Sequence, residues 1–532
     1  MKVREFFQNF FVNVKNGISR YFIAFICTVV LFLTLSYEIL FEPYTEGIIG
    51  PLCMTCALTG IFSVFLKSIQ EYLTEKLNLP IQIILSVVTA ITGFILIYQN
   101  YESLYTLMAY TGIIIALLCF IFFVLMRGEN RDTAFPKLVS SAIFTAAICT
   151  VLSIGISLCI WAFQSLILYF DDGYKVYLIV NLFVWAICYP NIFLSFIPKK
   201  DIPTPQSKIF RIFVLFAGLP LYLLLISILL IYLAKIVITW NMPVGEINWF
   251  ASFASLFFIF FVMSVMQYTE KFAKLFVRFG GYFLIPVLIV QAIAVFERIN
   301  AYGLTTPRTV SLVLIVLSIL FIGGTIITPK HLNKIALASG ILVLAVTVTP
   351  FNVIDMPVAS QTAILENVLL KNNMIKDGCV IPGKNVSDDD AEMIISSYNY
   401  LKYHAKQVPE FIPYPKKEFS EIFGFSEYQT EKQYLTYTFQ TKSSVDITEY
   451  DKMVKVTDVD YVIRFDYNGK TYEINSKELA LELSHQYDAG QNELELYPID
   501  ENVALYIDTF FVDLEDDSVS YCNFSGYALL KD

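Results

Sequence analysis

The chain has 532 residues, 56% hydrophobic and only 16% charged, where soluble domains carry about 25% charged residues. Its net charge of −10 hides an asymmetry: from Phe351 onward there are 32 acids and 15 bases, a balance of −17, against 15 acids and 22 bases before it, a balance of +7. An acidic tail on a basic, apolar body excludes a nucleic-acid binder, which needs a basic face.

The first segment, 1–20, carries Lys2, Arg4, Lys15 and Arg20, with Phe6, Phe7, Phe10, Phe11 and Val14 at helical spacing. This predicts an amphipathic cytoplasmic helix along the inner membrane surface. The apolar run from Tyr21 lacks a small-residue cleavage site and is followed by many more, so it reads as an uncleaved span. Apolar runs lie at 21–40, 48–66, 80–98, 104–126, 138–168, 176–197, 210–238, 248–268, 279–297, 309–328 and 334–350. About 20 apolar residues cross the hydrocarbon core, so 21–350 reads as about 11 transmembrane helices. The fifth run holds no charge between Lys137 and Asp171, so it tilts or protrudes. The seventh holds Gly218 and Pro220, which predicts a kink.

Orientation follows from the bases in the links. With the N-terminus cytoplasmic, eighteen Lys and Arg fall inside and only Lys175, Arg298 and Arg308 outside. Eleven crossings then place 351–532 outside the cytoplasm. That acidic extracytoplasmic domain reads as α+β. Ala359–Leu370 has the pattern of an amphipathic helix. Ser387 before Asp388, Asp389 and Asp390 caps a helix running to about Lys406. The runs 461–467 and 470–474 flank Asn468-Gly469, a hairpin signal with a type I′ turn. Ser476–Tyr487 reads as helix, and Val503–Val512 and Val519–Leu530 as strands.

Few residues carry chemistry. Cys53 and Cys56 have metal-site spacing but no second pair, and read as small buried residues of a span. Cys379 and Cys522 are the two cysteines of the outer domain and could form a disulfide. The three histidines, His331, His404 and His485, sit in different segments, so no zinc site or triad is implied. No phosphate loop, metal or cofactor is implied. No acid lies in the middle of an apolar run, which disfavours proton-driven transport. Asn181, Asn191, Gln267 and Gln291 are explained by hydrogen bonds between helices.

The candidate site is an outer-face polar cluster: Lys235, Glu246, Glu297, Arg298, Tyr302 and Arg308. Glu297 ends one predicted helix and Arg308 lies in the first turn of the next, each at the end its charge disfavours. An ion pair between them would relieve both; the alternative is an anionic ligand at Arg308. Lys235 and Glu246, near a helix C-terminus and N-terminus, are also explained by snorkelling and capping.

Four stretches carry a family resemblance. They are Leu219-Pro220-Leu221-Tyr222 through Tyr232-Leu233-Ala234-Lys235, Trp240 and Pro243-Val244-Gly245; Arg298 with Tyr302-Gly303-Leu304-Thr305 and Arg308; Pro350-Phe351-Asn352, Gln361, Leu365-Glu366 and Leu369; and Asp377-Gly378. Over about residues 210–380 the chain resembles the bacterial family called domain of unknown function 4153, described as inner-membrane proteins. The resemblance implies a polytopic envelope protein and supplies no activity.

Three functions fit in decreasing order. The first is a non-enzymatic, multi-pass bacterial inner-membrane protein whose outer domain binds or senses a surface ligand, an envelope protein or a small molecule. The second is a transporter or lipid-handling protein using the charged outer cluster. The third is a membrane glycosyltransferase, disfavoured because its first outer loop, Phe41–Gly47, is too small for a sugar site. The bilayer is the one partner the sequence dictates.

Overall fold

The structure, a computed structural model, describes residues 2–41, 47–166, 172–200, 202, 207–239, 246–327, 332–383, 386–406, 409–412, 418–427, 434–442, 445–459, 461–486, 493–515 and 518–531. The chain divides into two compact units: Met1–Val368 with Ser396–Pro409, and Leu369–Ile395 with Glu410–Asp532. Helix 355–371 therefore lies almost wholly with the apolar helices that precede it, not with the sheet that follows.

In the first unit, α1 (Lys2–Arg20) precedes the apolar helices α2 (Phe22–Phe41), α3 (Ile49–Tyr72), α4 (Leu79–Gln99), α5 (Leu104–Leu125) and α6 (Ala134–Leu166). Next come α7 (Gly173–Leu182), a π-helical turn at Phe183–Cys188 and α8 (Tyr189–Ser195) as one span, and α9 (Lys208–Ile212), a π-helical turn at Phe213–Gly218 and α10 (Leu219–Thr239) as another. Then follow α11 (Glu246–Val265), α12 (Lys271–Tyr302), α13 (Thr306–Ile327), α14 (Leu332–Val348) and α15 (Asp355–Lys371). Among the described residues, ten helices are long and apolar enough to cross a membrane. The eleventh predicted run forms α14, whose 17 residues span about 25 Å and stand at the lower end of the range of about 17–25 that crosses the hydrocarbon core. It packs tightly along α5, where Gly112 faces Thr347 and Gly340 faces Phe120.

Both π-helical turns end two residues before a proline, Pro190 and Pro220. Proline has no N–H for the carbonyl four residues earlier, and its ring crowds that carbonyl. Widening one turn relieves both problems. The kink expected at Gly218 and Pro220 thus takes the form of a widened turn; the matching turn before Pro190 was not anticipated.

Polar side chains inside the bundle bond across helices. Gln291, fully buried, donates to the Asn248 side chain (2.9 Å) and to Ser252 (3.0 Å), and Asn248 donates to Ser311 (2.9 Å). Asn191 donates to Thr28 on α2 (3.1 Å) and to the Ile187 carbonyl (2.7 Å) within the π-helical turn.

In the second unit, β1 (Ile375–Lys376) and β2 (Cys379–Val380) form a small hairpin before α16 (Asp388–His404), whose residues from Ser396 onward belong to the first unit. The three acids open α16 as predicted, and Asp390 bonds Lys371 (2.8 Å) and Asn372 (3.0 Å). After α17 (Phe419–Phe423) come β3 (Tyr434–Thr441), β4 (Lys452–Val459), β5 (Val462–Tyr467), β6 (Lys470–Asn475), α18 (Ser476–Gln486), β7 (Glu493–Leu494), β8 (Tyr497–Asp500), β9 (Val503–Glu515) and β10 (Ser518–Leu530). They build one sheet in the order β6-β5-β4-β10-β9-β3-β7, with β8 also on β9. All pairings are antiparallel except β3 with β7. The predicted hairpin stands: Tyr467 faces Lys470, and Asn468 (φ 49°) and Gly469 (φ 75°) occupy the left-handed region that a type I′ turn requires. Alternate residues of the long strands, Phe510, Val512, Phe524 and Ala528 among them, pack with Leu479, Ala480 and Leu483 of α18 into a core.

Candidate functional site

The Tyr302-Gly303-Leu304-Thr305 link between α12 and α13 is the centre of the predicted cluster. Helix α12 runs to Tyr302, five residues past Glu297, so only Gly303, Leu304 and Thr305 remain to turn the chain. Gly303 adopts φ 74°, and a Cβ there would stand 2.1 Å from Ile364 Cδ1. The positive φ demands glycine, and any larger residue would also displace the end of the Ile364 side chain.

Every carbonyl in this tight turn finds a donor, as buried backbone must. Gln361 of α15 donates to the carbonyls of Tyr302 (2.9 Å) and Leu304 (3.0 Å). The Arg308 guanidinium donates to the Gly303 carbonyl, and its carbon lies 5.8 Å from the Tyr302 ring centre. Thr309 donates both its N–H (2.9 Å) and its hydroxyl (3.1 Å) to the Thr305 carbonyl. The Leu304 N–H donates to Ser360 (3.0 Å) and the Thr306 N–H to the Tyr400 hydroxyl (3.1 Å). Tyr400 in turn stacks on His404, ring centres 4.2 Å apart.

Helix α15, which supplies Gln361 and Ser360, is held at its own start. Asn352 accepts from the N–H groups of Ile354 (2.9 Å) and Asp355 (2.7 Å) and donates to the Asp355 carboxylate (2.6 Å). The Tyr105 hydroxyl also bonds Asp355, and the Lys406 ammonium lies 4.0 Å from the Tyr105 ring centre. Two separated stretches of the resemblance, Tyr302–Thr305 and Asn352 with Gln361, therefore meet in one clasp.

The structure brings Tyr302, Arg298 and Arg308 together; Arg298 stands near enough to Arg308 for the two charges to repel. No ion pair joins Glu297 to Arg308. Glu297 is exposed more than a turn before the end of its helix, and Arg308 is turned onto the Gly303 carbonyl. Lys235 is exposed in the last turns of α10, and Glu246 opens α11, its side chain lying outside the described residues. His331, Trp240 and Pro243–Gly245 also lie outside them. The clasp offers hydrogen-bond donors and aromatic rings, groups that hold rather than react.

The disulfide considered between Cys379 and Cys522 is not formed. Cys522 is buried in the sheet core, its thiol donating to Ser476 (3.6 Å), and burial pushes that thiol above its ordinary pKa. Cys379 is exposed on the separate hairpin β1–β2. Among the described residues no group of three or more His, Cys, Asp or Glu could hold a metal.

A second polar network was missed by reading the sequence. Arg20 grips Glu71 (Nε–Oε1 2.9 Å) and donates to the carbonyls of Ile197 (2.8 Å) and Pro198 (2.9 Å). Tyr72 donates to Pro198 (3.2 Å), and Asn130 donates to Tyr72 (3.3 Å) and to the Lys199 carbonyl (2.8 Å). Arg20 counted only as a loop charge; the one signal was a lone acid, Glu71, near the end of an apolar helix.

A family model described as "Domain of unknown function (DUF4153)" matches residues 22–377. No curated protein and no solved structure matches the chain.

Proposed function

The chain belongs to the DUF4153 family, and from that premise we propose that it is a bacterial inner-membrane protein whose sheet unit faces outward and binds a surface ligand or partner. The base asymmetry of the links supports this orientation when α14 counts as a crossing. The open face of the sheet carries the binding reading. On β10, Tyr521, Asn523, Ser525 and Tyr527 alternate with the core-facing Cys522, Phe524 and Ala528. Tyr527 lies against Tyr506 (6.3 Å between ring centres) and Tyr521 against Phe511 (6.2 Å). Asn523 on β10, Thr509 and Asp508 on β9 and Thr436 on the adjacent β3 are exposed. Rigid amphipathic rings set among short hydrogen-bonding side chains suit contact with a ligand.

Two measurements on the full chain in intact cells test this. On a cysteine-free background, an impermeant maleimide should label cysteine at Ser387 and Ser103 but not at Ser207; protection at Ser387 would put the sheet unit in the cytoplasm. A photo-crosslinking benzoylphenylalanine at Asn523 should trap a discrete adduct, and irradiation that traps nothing there rejects binding by this face.

A further inference from the structure

A cavity of about 490 Å³ lies among α2, α3, α5, α6 and the α7–α8 span, within the range of small-molecule sites, about 300–1,000 Å³. Its lining is almost wholly apolar. One wall is a ladder of aromatic rings four residues apart, Trp185, Tyr189 and Phe193, with ring centres 5.7 and 6.4 Å apart. The ladder starts in the π-helical turn before Pro190, a feature that recurs at functional sites. The cavity opens sideways, because Trp185 and Leu118 line it and are each 43% exposed.

Its length and ends identify the occupant. The lining runs from Trp185 to Ile197, about 18 Å at 1.5 Å per residue, close to half the ~30 Å hydrocarbon core. One end therefore lies near the bilayer centre. The other lies at the basic end of the bundle, where Arg20 bonds the Ile197 carbonyl and the Lys137 ammonium sits 5.2 Å from the Phe196 ring centre, beside Leu138 of the lining. We infer that this cavity takes one acyl chain of a phospholipid from the leaflet at the basic end of the bundle, its phosphate facing Lys137. An apolar slot one leaflet deep, open to the bilayer and flanked by a cation at its headgroup end, matches that molecule in length, polarity and charge.

The test uses the full chain reconstituted in nanodiscs containing a phosphatidylglycerol with a diazirine midway along one acyl chain. Irradiation should attach this lipid to peptides of the five lining segments, α3 around Gly60 and α8 around Tyr189 among them. Gly60→Trp and Ala57→Phe fill the space and should each cut the attachment at least tenfold, and Lys137→Gln should weaken it severalfold. Each variant is first shown to be monodisperse with an unchanged helical spectrum. Labelling of wild-type protein only on helix faces outside the cavity overturns the inference without any variant. So does equal labelling of wild type and whichever filling variant folds, since boundary lipid would not sense the interior.

Discussion

Arg308 shows how one side chain changes meaning when its neighbours are known. In the sequence it is a cation at the wrong end of a helix, in want of an acid or an anion. In the structure it supplies the donor for the Gly303 carbonyl and lies over Tyr302. A buried carbonyl left without its donor costs about 1–3 kcal/mol. Arg308→Ala should therefore lower the melting temperature of the detergent-solubilised protein, while Glu297→Ala should leave it unchanged. Equal losses in the two variants would restore the ion pair and refute the clasp. Gln361 could not have been assigned its role from the sequence, because the carbonyls it holds are 59 and 57 residues away. Gly303 was legible as a turn residue, yet the approach of the Ile364 side chain to it is purely tertiary.

Elements were legible where their signal is local. The apolar runs became helices because backbone groups in lipid must bond within their own segment. The β5–β6 hairpin was legible because Asn-Gly accepts positive φ at both central positions of its turn. Gly469→Ala puts a Cβ into the left-handed region, a strain of about 1–2 kcal/mol. The sheet unit should melt earlier in that variant while the helical signal of the bundle persists; an unshifted transition would mean the turn relaxes to another type. By contrast β3 and β4 went unread. Lys452, Lys455 and Asp458 dilute the alternation of β4, and its pairing with β10 joins residues such as Lys452 and Leu530. The π-helical turn before Pro190 also escaped notice, since the proline marks a disturbance but not whether the helix bends or widens.

At the scale of the molecule, charge separates the two parts: +7 before Phe351 and −17 from there on. Several acids of the sheet unit are held charged by specific partners. Lys371, then Asn372, hold the Asp390 carboxyl below its ordinary range, and the Asn502 N–H with the Tyr472 hydroxyl does the same for Asp500. A carboxyl whose folded pKa is depressed contributes stability that is present above its unfolded value, about 3.9. That contribution is lost as pH falls through the folded value. The sheet unit should therefore weaken below about pH 4, and Asp390→Asn should flatten the acid limb of its unfolding curve. Superimposable curves for wild type and variant would show that Asp390 does not carry this linkage.

By itself the sequence determined the class of the protein. Each span, cap and hairpin turn is decided by the cost of unbonded backbone or strained φ within a few residues, so a short window contains the whole argument. The tertiary structure alone decided what those elements build. It brought Gln361 onto the Tyr302–Thr305 turn and Arg20 onto Glu71. It left α14 as a short helix along α5, kept Cys379 and Cys522 apart, and opened an apolar cavity behind the Trp185 ladder. These are meetings of residues far apart in the chain, set by how whole helices and strands pack, and no local pattern encodes them.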